Sequence, residues 1–289
     1  MPGRQTNIRT AALFAILTSL VASMAAAATK YLTDMMDASV VVTIQYLICL
    51  ITLTPWLIKV GLKGVATEVL RWHLIRGVAG WACFYTYYLA ISKIPLMDAS
   101  LLRNTAPLCV PFFGFLLFKN KISVQGIVGI LVGFVGVLLI LKPEGATVSL
   151  WHGIGFLSGV TLALSMIYTR ELAHTEPSNR ILFYYFMISL VLSTPLALRE
   201  AEPIPVQAMP ALLFVGLSIF ITMKLYNHAY ANAPASTIAP LTYFGVVFAG
   251  ILGWLFWGQL PDIKGIAGMV LIVSGGVLAI LSRHSDQER

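Results

Sequence analysis

Arg103 and Lys224 stand inside otherwise apolar stretches of this 289-residue chain. A charged side chain at the centre of a bilayer costs about 3 kcal/mol on insertion scales, and an anion, hydrogen bonds or water must offset it. All twelve acidic residues, from Asp34 to Glu288, fall at the ends of apolar stretches, in connections or in tails. Neither cation therefore has an evident counter-ion at membrane depth, Asp98 lying at the end of the stretch that holds Arg103. Backbone carbonyls, tyrosine hydroxyls and water are one way to satisfy them. A negative group on a cargo is the other, for which arginine presents a bidentate fork. Asn227 and His228 follow Lys224 by one helical turn. Arg76 lies one turn inside its stretch, near enough to the end to be expected to snorkel into the headgroups.

Aromatic residues crowd the same region. Trp81, Tyr85 and Tyr88 share one helical face, while Tyr87 shares another with Arg76 and Cys83. Such rings can clasp a planar or apolar cargo portion and offer hydroxyl partners, although packing and interfacial belts use the same residues. Tyr243 adds a ring in a later stretch. Ser165 belongs to a polar stripe with Ser158, Thr161 and Thr169, and Ser19 and Ser23 form a second; hydroxyls in such stripes commonly bond their own or a neighbouring helix. The substrate-contact candidates are thus Arg103, Lys224, Trp81, Tyr85, Tyr88, Asn227, His228, Tyr243 and Ser165. No catalytic or metal residue is assigned: the histidines are scattered, H-E-x-x-H is absent, and no pair of intramembrane aspartates occurs. No cofactor is expected, and without G-x-x-x-x-G-K-[ST] the chain cannot use ATP alone.

The elements that must position these groups follow from composition. Hydrophobic residues make up 58% of the chain and charged residues 11%, against about a quarter charged in soluble domains. The apolar residues come in blocks of about 20, the length that spans a hydrocarbon core as a helix. Ten spans are expected: 10–31, 40–59, 72–92, 97–118, 124–141, 151–172, 181–199, 208–231, 235–257 and 263–282. The fourth contains Pro107 and Pro111, each of which strips the carbonyl four residues earlier of its helical partner. Pro240 does the same in the ninth. Interrupted helices are tolerated at membrane depth where they face protein or a water-filled cavity.

The net charge of +7 sits mainly at span ends, which reads as a topology signal rather than a nucleic-acid surface. Lys and Arg of the N-terminus, the even-numbered loops and the C-terminus outnumber those of the odd-numbered loops by eleven to five, placing both termini in the cytoplasm. Cys49, Cys83 and Cys109 all lie in apolar blocks, outside any disulfide framework.

Shifting the chain by 139 residues superimposes the third to fifth spans on the eighth to tenth without a gap: Gly77 on Gly216, Tyr87 on Tyr226, Pro95 on Pro234, Gly129 on Gly268 and Gly136 on Gly275. Two halves of five spans, an odd number, must enter the membrane in opposite senses. Inverted repeats place a binding site between the halves and expose it alternately to each side. The expected units are 1–145 and 146–289, in an all-α integral membrane fold.

The chain resembles the drug/metabolite transporter superfamily in its EamA-type branch, over essentially its whole length. The most specific local match is Phe118-Lys119-Asn120-Lys121-Ile122-Ser123-Val124-Gln125-Gly126-Ile127-Val128-Gly129, with a second copy from Trp257 to Gly268. The resemblance implies a central cavity lined by the first, third, fourth, sixth, eighth and ninth helices. It also implies outward movement of amino acids or other small metabolites, some members being importers. One departure stands out. The family pattern usually has Glu nine residues before the glycine at 129 or 268, where this chain has Asn120 and Gln259. An amide keeps the hydrogen bonds of a carboxyl group but cannot ionise; a span-end cap needs only those hydrogen bonds, whereas any ion coupling that rests on the family Glu is put in doubt here.

The expected function is a secondary transporter of the cell (inner) membrane that exports small anionic or zwitterionic metabolites by alternating access, and not an enzyme. A lipid or lipid-linked flippase, or an importer or exchanger of a small organic anion, is the alternative. The implied partners are a small-molecule substrate and the bilayer, not nucleic acid, with monomer and homodimer both compatible.

Overall fold

A computed structural model describes residues 8–119, 124–141, 149–200, 203–232, 239–260 and 262–287. Asn120 falls outside the described residues. Those residues form eleven α-helices: α1 (Ile8–Thr33), α2 (Ala38–Val65), α3 (Leu70–Lys93), α4 (Leu96–Arg103), α5 (Ala106–Phe118), α6 (Val124–Leu141), α7 (Leu150–Leu172), α8 (Ser178–Arg199), α9 (Met209–Asn232), α10 (Phe244–Trp257) and α11 (Ile263–Gln287). Short 3-10 segments, Val206–Ala208 and Ala239–Tyr243, precede α9 and α10. Six helical stretches are long and apolar enough to cross a membrane, and three shorter apolar helices accompany them. The protein is a multi-pass membrane protein. Outside these stretches, α3 carries Arg71, His73 and Arg76 and turns much of its length inward, from His73 to Ile91.

The two proline-bearing segments break beside Pro107 and Pro240, while α5 runs on through Pro111. The 97–118 stretch is two helices, α4 and α5, parted at Asn104–Thr105, two to three residues before Pro107. Side chains add bonds to carbonyls at the break: Asn104 Nδ2 donates to Ser100 O at 2.8 Å and Thr105 Oγ1 to Leu102 O at 2.7 Å. The break lies hard against α7, where a methyl on Gly159 would sit 2.6 Å from Leu102 O. The 3-10 segment before α10 is held from α1, where Ser19 Oγ donates to Leu241 O at 3.3 Å and Ser23 Oγ to Gly245 O at 2.8 Å. The two serines of the α1 stripe thus fasten an irregular backbone in a distant part of the chain.

Contacts recur reciprocally. The α3–α7 packing is matched by α9–α1, and α2–α8 and α6–α11 pack on each other. A methyl on Gly136 would lie 2.7 Å from Gly268 O, and one on Gly275 would lie 2.5 Å from Gly129 O. Gly77 faces Ile188 as Gly216 faces Ile48. Tyr46 and Tyr185, 139 residues apart, meet hydroxyl to hydroxyl at 2.9 Å. Lys119 (φ 56°) and Gly258 (φ 63°) are both left-handed caps that end the helix following a break.

Candidate functional site

One face of α3 assembles the polar centre. Arg76, Gly80, Cys83 and Tyr87 recur at three- and four-residue intervals and so point the same way; all four are buried. Arg103, in the last turn of α4, reaches this face. Its guanidinium carbon lies 4.7 Å from the Phe84 ring centre and 4.8 Å from that of Tyr87, and it rests against the Cys83 thiol with Tyr88 nearby. Tyr87 does not turn its hydroxyl to the cation as an anion would, because that oxygen is paired with Ser100 Oγ at 2.8 Å. Arg103 Nε is buried with no partner. Among the described residues no carboxylate is within ion-pair reach of it. Two cation–π contacts contribute about 0.5–2 kcal/mol each, enough to offset much of the insertion cost but not to occupy the guanidinium's donors.

Arg76 reverses the expectation that it snorkels. It is only 6% exposed and its side chain runs inward, one turn deeper than its own Cα, until Nη1 lies 3.2 Å from where a methyl on Gly80 would be. The guanidinium carbon stacks 3.7 Å from the Tyr185 ring centre, and Nε donates to Thr169 Oγ1 at 3.1 Å. The missing Cβ at Gly80 is the physical reason: a methyl there would collide with Tyr185 at 2.5 Å and crowd Arg76 and Ser165. Space beside Gly80 and a ring to stack on outweigh the route to the headgroups. Nη1 has no partner.

The other sequence candidates divide. Ser165 is buried beside Gly80 and so joins Arg76. Tyr88 is buried next to Arg103, with its hydroxyl donating to Gln45 Oε1. Trp81 and Tyr85 stack, centroids 5.4 Å apart and planes 9° from parallel, leaving Trp81 Nε1 buried without an acceptor. Tyr243 points at α11, its hydroxyl occupying the space over Gly276 with no partner. The side chains of Lys224, Asn227 and His228 lie outside the described residues. Sequence reasoning did not nominate Gln45, Tyr46, Phe84 or Tyr185 for the site. The 139-residue spacing of Tyr46 and Tyr185 was the one signal that could have found a pair among them.

Four buried donors, Arg76 Nη1, Arg103 Nε, Gln45 Nε2 and Trp81 Nε1, therefore come from α2, α3 and α4 without acceptors. A buried polar group left unmade costs about 1–3 kcal/mol, so each of these donors suits an acceptor-rich or anionic partner. Outside this region His73, His152, Ser189 and Tyr243 also keep a buried polar atom without a hydrogen-bond partner, while other polar side chains are satisfied locally. Lys30 Nζ caps the end of α3 through Ile91 O at 2.7 Å and Ile94 O at 3.2 Å, and Gln259 Oε1 accepts the first N–H of α4, from Leu96, at 3.0 Å. Between α1, α9 and α10 runs an apolar cleft of about 500 Å³, lined by Met24, Ala27, Tyr31, Phe214, Phe256 and Trp257 among others.

The model of the EamA-like transporter family matches twice, over residues 9–142 and 149–281. The chain belongs to the EamA-like transporter family. Among family relatives, the pseudopaline exporter CntI of Pseudomonas aeruginosa is 32% identical over 202 residues, covering 69% of this chain and 71% of the relative. An S-adenosylmethionine uptake transporter of Rickettsia bellii is 24% identical and covers 94% of both chains. A solved protein crystal structure superposes with a TM-score of 0.60 at 18% identity, over 98% of this chain and 99% of the other, and so shares the fold. As an EamA-like protein this chain is a membrane transporter, and the α3–α4 centre is where its buried polar chemistry concentrates.

Proposed function

We propose that this transporter exports small anionic or zwitterionic metabolites, amino acids or their derivatives, across the cell (inner) membrane by alternating access. The observation that carries the reading is Arg103: a half-buried cation over two rings, with a buried, unfilled Nε donor and no described carboxylate in reach. Its acid-binding fork is the natural seat for a cargo carboxylate. The architecture that fits is two inverted five-helix repeats, 1–145 and 146–289, giving ten spans. The reciprocal glycine contacts across α6 and α11, and the Tyr46–Tyr185 meeting, support it, since equivalent residues touch only along an axis relating two like halves. Arg103, Tyr88 and Ser165 contact cargo in this reading, with Lys224, Asn227 and His228 contributing from α9, and Trp81, Tyr85 and Tyr243 as supporting rings. The exporter among the relatives supports the outward direction.

The test is ligand stabilisation of purified protein with carboxylic acids paired against their neutral amides, followed by flux in proteoliposomes. Acids should raise the melting temperature and their amides should not, and flux should run outward from the cytoplasmic face. Equal stabilisation by acid and amide would remove the anionic cargo from the reading. The apolar cleft between α1, α9 and α10 favours a second reading, a lipid-linked cargo. Transport that depends on acyl-chain length would select it.

A further inference from the structure

Arg76, buried, and Arg103, half-buried, are not two unrelated cations. Arg103 lies against the Cys83 thiol, and Arg76 is close enough to act electrostatically on that same thiol. Arg76 takes its position over Gly80, whereas Arg103 lies over Phe84 and Tyr87. At 1.5 Å of rise per residue, these positions on α3 put the two guanidinium groups about 5–10 Å apart along the helix. Two positive charges at that spacing repel each other, and among the described residues no carboxylate stands between them or beside either.

The surroundings hold Arg76 in this place rather than letting it retreat to the headgroups. Thr169 Oγ1 donates its own proton to Ser165 O at 2.7 Å, so its lone pairs are what Arg76 Nε meets at 3.1 Å. Tyr185, under the guanidinium, is itself positioned by Tyr46 at 2.9 Å. With Nε engaged and one face stacked, the remaining fork is what the residue has to offer, and its Nη1 is the unpartnered atom. A cation needed only for packing would be expected to fill its fork with carbonyls.

We infer that Arg76 and Arg103 together read two acidic groups on one small cargo, several bonds apart, one guanidinium to each. This rests on the reading of Arg103 as an acid seat and adds that the cargo is a diacid. Arg76 is then a specificity-determining residue, and Gly80 the residue that makes room for it.

The experiment measures affinity by thermal shift and by flux competition with α,ω-diacids from glutarate to suberate, each with its monoamide and diamide. In the wild-type protein the best diacid should bind about 10- to 100-fold more tightly than its monoamide, the worth of one charge-assisted hydrogen-bonded pair. Arg76→Gln should bring that ratio toward one, and Arg76→Lys should leave an intermediate ratio. Gly80→Ala, which displaces the guanidinium without removing it, should also lower the ratio. A wild-type ratio near one overturns the inference while leaving the single-acid reading intact. Equal losses for diacid and monoamide in Arg76→Gln make Arg76 a structural residue and overturn it too. If no acid binds better than its diamide, both the inference and the reading beneath it fail. Should Arg76→Gln not fold, the wild-type ratio and Gly80→Ala still decide.

Discussion

Replacing Arg103 with Gln separates its charge from its packing. On the stability side two effects oppose each other. The substitution forfeits contacts to Phe84 at 4.7 Å and Tyr87 at 4.8 Å, worth about 0.5–2 kcal/mol each. It also relieves the burial of a charge, about 3 kcal/mol on insertion scales. These nearly cancel, so folding and expression of Arg103→Gln should stay close to wild type. Transport has no such compensation. A cargo carboxylate held by a guanidinium contributes about 1.5–3 kcal/mol, which is roughly 10- to 100-fold in apparent affinity. Gln keeps a neutral donor on a shorter stem and cannot make the bidentate pair. The assay is proteoliposome flux normalised to reconstituted protein, with melting temperature and elution profile measured on the same preparation. Unchanged flux per molecule would refute the assignment. So would a loss of flux in proportion to a loss of folded protein, which would make the cation structural.

Three further outcomes follow from the contacts. Gly275→Ala places a methyl 2.5 Å from Gly129 O and from Gly133 N; backbone cannot yield as a side chain can, so α6 and α11 must part, at about 1–3 kcal/mol, read as a lowered melting temperature. Gln259→Ala leaves the Leu96 N–H without its acceptor and should cost about 1–3 kcal/mol, whereas Gln259→Glu keeps the acceptor beside a helix start and should retain stability in the same thermal assay. Glu176, in the connection after α7, is pushed up by burial, but hydrogen bonds from Thr67 at 2.5 Å and Arg180 at 2.6 Å more than offset this and hold its carboxyl below the usual range. A depressed carboxyl stabilises fully above its unfolded pKa and loses that stabilisation as pH falls through the folded value. Wild-type protein should therefore lose more stability on acidification from about pH 5 than Glu176→Gln does, and equal acid sensitivity of the two would refute the linkage.

Much of the fold was legible because it depends on short-range chemistry. Block length and hydropathy follow from the thickness of the hydrocarbon, and a proline removes its N–H whatever surrounds it. The break at Asn104–Thr105 and the 3-10 segment at Ala239–Tyr243 lie at such prolines, although Pro111 and Pro195 are carried inside continuous helices. The site was legible only in part. Arg103 was nominated from the absence of an acid in its neighbourhood, a property of composition. Arg76 was expected to turn outward, because its distance from the span end is visible in the chain whereas the space over Gly80 is not.

The chain alone determined that this is a membrane protein of apolar helices with two proline-bearing segments, a repeat near 139 residues and cations inside its spans while every acid lies at a span end or beyond. Those are properties of single residues and their spacing along one helix. Only the tertiary structure decided which way the cations face. It set Tyr185 beneath Arg76 and Thr169 beside it, and it brought Arg103 to Cys83, Phe84 and Tyr87 on another helix. The reason is rotameric: a long side chain one turn inside a helix can run either way, and the free energy that chooses lies in partners hundreds of atoms away along the chain.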